Sequence, residues 1–398
     1  MIVRRLFLLV VVALTAQAVF AQSHHSQLAG DSVAAVSDTV TVKLVTFYPG
    51  NESFSLYGHT ELRVTWGFND WYFNYGVFDF SEPFFVYRFV KGSAEYLCMG
   101  LPPQFAAAGM EGRRMVEQEL NLTQEQAAKV RDFLINNARP ENCRYVYQYL
   151  GDNCSTRPRD IIEMAVGPSL QYPAVTDSLT YRQMMAQCTR NSKWLQMGID
   201  LILGPGIDQP LTIRQQMFIP MALKSAVDGA THVVDGKRVP LVRHTEVVVD
   251  GSEEGLDIEP EPWWATPLFA GIILLALTAA VTVRDMSRRR CSRWLDVCIA
   301  LLYSSIGLVI YFLMFVSVRE ATFPNYNALW ANPFYLIPLG LMWSRRTRKA
   351  LRLYHVINGT VAVLTIVLWP LLPQVANVAF FPMMVVPVLR AIANVRAR

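Results

Sequence analysis

Apolar and polar positions divide this chain near Trp263. Upstream, apolar side chains alternate with polar ones or recur at helical spacing; downstream they run on with few interruptions. The downstream runs cover residues 264–283, 295–316, 329–343, 353–372 and 375–392. Four have the length to cross a hydrocarbon layer with some tilt. The third is short and contains Pro333 and Pro338. Counting it, the pattern predicts an α-helical membrane domain of about five spans over residues 263–398.

Basic residues support that count. The loop RDMSRRRCSR holds five arginines, SRRTRKALR holds five basic residues, and the chain ends in RAIANVRAR. SVREATFPNYNALWANP, between the second and third runs, holds one. Basic loops thus alternate, as five spans with a cytoplasmic C-terminus require. At the other end, Arg4 and Arg5 precede an apolar core and the small-residue site Val19-Phe20-Ala21. This predicts a secretory signal peptide over residues 1–21, with an uncleaved anchor as the alternative. Both signals put residues 22–262 on the exported side, and the predicted location is the cell inner membrane, multi-pass, with this half in the periplasm.

Within that half, residues 22–38 are Ser-, His- and Ala-rich and predict a flexible segment. Strand patterns follow in TVKLVTFYPG, HTELRVTW, DWYFNYGVFDF and AEYLCMGL, with GFND as a hairpin turn. Helical periodicity is read across GRRMVEQELNLTQEQAAKVRDFLINNA, with Thr123 as a cap. CRYVYQYL reads as extended and STRPRDIIEMAV as a helix with Pro158 in its first turn. Residues 178–225 read as mostly helical, broken by GPGIDQP. HVVDGKRVPLVRHTEVVV reads as a hairpin around Asp235-Gly236. The result is an α+β domain over 39–249, joined by an acidic linker at 250–262 to the membrane domain. The net charge of +4 reflects the basic loops and gives no support to a nucleic-acid partner. No glycine-rich phosphate loop follows a strand.

The exported half offers few groups for chemistry. Its histidines are His24, His25, His59, His232 and His244, and its cysteines Cys98, Cys143, Cys154 and Cys188. No CxxC, HxxxH or HExxH spacing occurs, so no metal and no cofactor is expected. In an exported domain a disulfide is the default use of cysteine, and Cys143–Cys154 is a conceivable bridge. Against this, Cys154 directly follows Asp152-Asn153 and opens a helix. First-turn amides would lower its pKa and favour the thiolate, and a histidine within reach would complete an activated nucleophile. His59, entering a strand after SLYG, is the candidate. A satisfied core histidine is the alternative.

YGHTELRV, FNYGVFDF and DNCSTRPRD, with GIDQPLTIRQQMFIP and PNYNALWANP further on, closely resemble signature segments of a family of exported membrane proteins in the Bacteroides group, the Lnb lipoprotein N-acyltransferases. The resemblance covers most of the mature chain. It implies a permuted papain-like periplasmic domain, as in NlpC-type amidases and lecithin:retinol acyltransferase, where histidine on a strand precedes cysteine on a helix. Carried over, Cys154 is the nucleophile and His59 the base. Asn74 is the candidate to orient the imidazole, with Asp79 second and a strand-edge role as the alternative. Asn153, Arg157 and Tyr57 are the expected substrate contacts; Arg157 would meet a phosphate or pair with Asp160. Glu61 departs from the small or apolar residue expected beside the histidine. The implied partners are the membrane, a phospholipid acyl donor and a lipoprotein acceptor. The alternatives are a thiol amidase or peptidase on peptidoglycan, and a non-catalytic lipid-binding scaffold with Cys154 in a disulfide.

Overall fold

The computed structural model describes residues 39–106, 110, 112–174, 177–251 and 259–396. The predicted signal peptide, the segment 22–38 with His24 and His25, and most of the acidic linker lie outside them. The first domain is built on a seven-stranded antiparallel sheet. Its strands are β1 (Thr41–Phe47), β2 (His59–Trp66), β3 (Asn69–Val77), β4 (Glu95–Leu101), β5 (Met115–Leu120), β6 (Arg144–Val146) and β9 (Val242–Val249), in the order β6-β4-β3-β2-β1-β5-β9. A separate hairpin pairs β7 (Thr231–Val234) with β8 (Lys237–Pro240) through Asp235 and Gly236, both at positive φ, as tight hairpin turns require.

Alternation along the strands sorts the two faces. Val42, Leu44, Leu62, Val64, Phe73 and Tyr75 share one face, which buries helices α2 (Gln124–Asn137), α3 (Thr156–Val166) and α6 (Pro220–Asp228). The opposite face carries Val45, Phe47, Tyr72 and Met115 beside an ion-paired set in which Glu117 accepts from Lys43, Arg63 and Tyr72. Between the strands lie α1 (Phe85–Lys91), α4 (Tyr181–Cys188) and α5 (Lys193–Ile202). Helix α2 starts where expected, with a reciprocal capping box between Thr123 and Gln126.

Two expectations fail here. The helical reading does not hold over Met115–Leu120, which is strand β5, paired with β1 on one side and β9 on the other. Glu117 and Gln118 gave this stretch a polar helical face, but both are buried, Glu117 by its cationic neighbours. The long late hairpin also ends early. Its second arm breaks after Pro240, and Val242–Val249 crosses to the main sheet to pair with β5.

The second domain contains α7 (Pro267–Arg288), α8 (Arg293–Phe315), α9 (Arg348–Leu368) and α10 (Phe380–Arg396). Among the described residues three helices are long and apolar enough to cross a membrane: α7, α8 and Arg348–Leu371, which continues α9. The run 329–343 is not one helix. It is a series of short turns, Tyr326–Leu329, Pro333–Leu336 and Ile337–Leu341, interrupted at the prolines. This irregular segment packs against α8. Here Asn332 lies against Gly307 of α8, where a Cβ would come within 2.3 Å of its backbone. Asn327 donates to the Asp200 carbonyl of α5, and Trp343 lies under Arg293 at the start of α8. Inside the bundle Arg390 donates to Asp285 and Asp296, a buried cation paired with two carboxylates.

The domains are joined by polar contacts. Arg182 bonds Asp200 and Asp208, and Asp200 accepts from Asn377. Gln374 donates to the Leu203 carbonyl.

Candidate active site

Residues 48–58 form the loop leading into β2, and Arg113 holds its base. The buried guanidinium donates to the Tyr48 carbonyl at 2.6 Å and the Phe47 carbonyl at 3.4 Å, with Met110 Sδ at 2.7 Å. It has no carboxylate partner among the described residues. Gly58, at φ +81°, makes the turn; a Cβ there would come within 2.8 Å of the Phe47 carbonyl. His59 then begins β2.

His59 Nε2 lies 3.1 Å from Asn74 Oδ1 on β3. Asn74 Nδ2 donates to Glu61 Oε1 at 2.7 Å, which fixes the amide with its oxygen towards the ring. An amide oxygen only accepts, so the imidazole proton sits on Nε2 and Nδ1 is the basic nitrogen. Asp79, the second candidate for this role, is exposed and bonds Ser81.

Cys154 lies one residue before the cap of α3. The backbone amides of Thr60 and of Cys154 itself pull the thiol's pKa down. Gly76 shows how closely the three groups gather. A Cβ built there, at φ +146°, would lie 3.4 Å from His59 Cε1, 3.8 Å from Cys154 Cβ and 3.9 Å from Asn74 Oδ1. A glycine inside a strand marks a close approach or a bulge, and β3 is irregular between Tyr75 and Val77. That signal was present in FNYG and was missed. Arg113, in the unremarkable stretch GRRM, had none.

Burial sets the electrostatics. It pushes the Cys154 thiol up to about 11, against the two amides and the Arg113 charge, which pull the other way. It pulls His59 down to about 4, with Arg113 acting in the same direction. Burial also raises Glu61 to about 8. The resting pair is therefore neutral thiol and neutral imidazole. The expected thiolate at a helix end is corrected on this point, because burial outweighs the groups that favour the charge, and Asn153 takes two of the helix-end amides. Its Oδ1 accepts from Ser155 at 2.8 Å and Thr156 at 3.0 Å, so neither is free for the sulfur.

The remaining predicted residues are engaged within the protein. Asn153 Nδ2 donates to the Tyr149 and Phe218 carbonyls. Arg157 pairs with Asp152 and lies 3.8 Å over the Tyr145 ring. The expected pair with Asp160 is not made; Asp160 accepts from Arg159 and Arg214. Tyr57 meets Tyr149 edge to face at 5.8 Å, and burial raises its hydroxyl to about 12. His232 lies in the separate hairpin, and His244 is exposed on β9. None of the described cysteines is in a disulfide, Cys143 and Cys154 included. No group of three His, Cys, Asp or Glu gathers as a metal site among the described residues.

A neutral thiol gathered with a tautomer-fixed imidazole around Gly76 suits attack on a carbonyl with proton transfer to Nδ1. The fold and site thus define a membrane protein whose sheet domain carries a thiol–imidazole–amide cluster. Family comparison makes the assignment specific. Residues 32–187 match the Lnb N-terminal periplasmic domain and residues 259–398 the Lnb transmembrane domain, so the chain belongs to the Lnb family. The resemblance in its motifs holds. No curated protein and no solved structure matches. The protein is a membrane protein with a periplasmic N-terminal domain, and its family is one of lipoprotein-modifying membrane proteins.

Proposed function

We propose that this protein is a lipoprotein N-acyltransferase of the inner membrane, working through a Cys154 thioester. The gathering of Cys154, His59 and Asn74 around Gly76 carries this reading. In the first step His59 Nδ1 takes the thiol proton as the sulfur attacks an acyl-ester carbonyl of a phospholipid. The ester C–O bond breaks, and His59 returns the proton to the lyso-lipid oxygen. In the second step the α-amino group of a lipid-modified N-terminal cysteine attacks the thioester. The C–S bond breaks, and the amine proton passes through His59 to the sulfur. The Thr60 and Cys154 amides are suited to the oxyanion of both steps. Arg113 adds a fixed positive charge that favours the same anions.

Neutral resting groups suit this chemistry. The thiol becomes anionic only as it reacts, so an idle enzyme presents little thiolate to oxidants. The order of histidine on a strand before cysteine at a helix start agrees with a permuted papain-like domain. The run 326–343, alongside α8 from end to end, makes a fifth crossing with α7, α8, α9 and α10. A thiol amidase on peptidoglycan would share Cys154 and His59 but not the need for a multi-helix platform.

The test expresses wild type and Cys154→Ser in cells lacking their own lipoprotein N-acyltransferase and weighs a reporter lipopeptide. Wild type alone should add one amide-linked acyl chain. No gain, with folded and inserted protein, would refute acyl transfer and favour the amidase.

A further inference from the structure

The sheet domain carries an apolar surface that its own core does not explain. Around α1, Phe80, Phe84 and Val86 are 74%, 82% and 74% exposed. Phe84 holds a left-handed backbone, φ 58°, which is strained for a bulky side chain. Three large apolar groups on one short segment exceed the isolated exposed hydrophobe found on any surface.

What lies beside them is the end of a membrane helix. Tyr87 rests on Phe312 of α8 at 5.9 Å. The Lys91 carbonyl accepts from the Val318 amide and the Ser317 hydroxyl, both at 2.9 Å. Gly92 permits the approach, since a Cβ there would come within 2.8 Å of Arg319 Cγ. Phe312 lies one turn from the end of α8, so α1 sits level with the boundary of the hydrocarbon layer. Phe315 and Val318, at the same end of α8, are exposed as well.

The inner side of this patch leads to the thiol. Phe78 packs on Phe85, Phe89 and Tyr147 at 5.8, 6.0 and 5.3 Å. Phe78 stands two residues beyond Gly76, on whose vacant side Cys154 and His59 meet. Tyr147 closes this aromatic cluster, stacked on Phe89 at 5.8 Å. Arg319, from the membrane domain, spreads over the Phe89 and Tyr147 rings at 5.5 and 5.8 Å and donates to the Phe89 carbonyl. No carboxylate pairs with it among the described residues. A cation at headgroup level beside an aromatic track has the chemistry of a phosphodiester and its acyl chain.

We propose that α1 lies in the periplasmic leaflet and that a membrane phospholipid enters between it and the end of α8. Arg319 holds the phosphate, and the Phe78, Phe89 and Tyr147 rings guide an acyl chain to Cys154. The inference deepens the acyltransferase reading and rests on it for the donor's role. It also gives the membrane domain a direct part in the site.

The test avoids chemistry at the thiol. Full-length Cys154→Ala protein is placed in nanodiscs containing phosphatidylethanolamine with a diazirine in one acyl chain, irradiated and mapped by mass spectrometry. Label is expected on residues 78–90 and on Tyr147, besides the membrane helices. Arg319→Ala should lower the Tyr147 label about tenfold, the loss expected of a charge-assisted phosphate contact, with α7 and α9 labelled as before. Label confined to the membrane helices would overturn the proposal, as would a Tyr147 label unchanged by Arg319→Ala. Lipid capture without lipoprotein acylation would leave this route standing and refute acyl transfer alone.

Discussion

Replacing Asn74 by alanine removes two hydrogen bonds at once, the 3.1 Å bond that fixes the His59 proton and the 2.7 Å bond to Glu61. Their losses differ. His59 keeps a partial opening to solvent and can recruit water, whereas Glu61 is fully buried and its other oxygen already lacks a partner. Leaving such a group unsatisfied costs about 1–3 kcal/mol, so the variant should lose ~2–3 kcal/mol of stability and still fold. The effect on chemistry is separate. Without the amide oxygen the proton is free to occupy Nδ1, which removes the base from the thiol, and the ring is free to turn. His59 also loses the one hydrogen bond that raises its pKa, making it a weaker base. Together these should slow acylation of Cys154 by about 10- to 100-fold per folded molecule. The assay is single-turnover acylation from phospholipid vesicles, followed by intact mass, with thermal unfolding measured on the same sample. A rate per folded molecule within about twofold of wild type would show that Asn74 only stabilises the strand, and the assigned tautomer would be wrong.

Two further outcomes follow from buried contacts. Glu61 has a folded pKa raised from 4.5 to about 8. The stability linked to its proton is therefore complete below pH ~4.5 and is lost as pH rises towards ~8. Glu61→Gln, which cannot ionise, should unfold at nearly the wild-type temperature near pH 5 and well above it near pH ~8; parallel curves would refute the burial argument. Gly204 donates to the Ala321 carbonyl, and a Cβ on it would come within 1.9 Å of the Pro324 carbonyl oxygen. Gly204→Ala should force the two domains apart locally, destabilising by about 1–3 kcal/mol and exposing residues 203–208 to protease; an unchanged cleavage pattern would show that the loop yields instead.

Much of this protein is fixed by local pattern. The apolar runs specify membrane helices because no other use of so long an apolar stretch leaves its backbone satisfied. Alternation marks β1 to β4, and the Thr123 and Thr180 capping boxes mark helix starts, because these signals act within a few residues. Cys154 and His59 stood out for the same reason, each beside its own turn. Tertiary structure decided the rest. Met115–Leu120 has a period that suits a helix, and only the strands on either side make it a strand. The state of Cys154 turned on Asn153, which spends its oxygen on the helix end, and on burial by residues far along the chain. The prolines at 333 and 338 forbade a regular helix, but only packing on Gly307 made the broken segment tolerable. Arg113 and Arg319 carried no local signal at all. Each is one arginine among many in sequence, and each gains its meaning from where the fold brings it, Arg113 to the loop before His59 and Arg319 onto the Phe89 and Tyr147 rings.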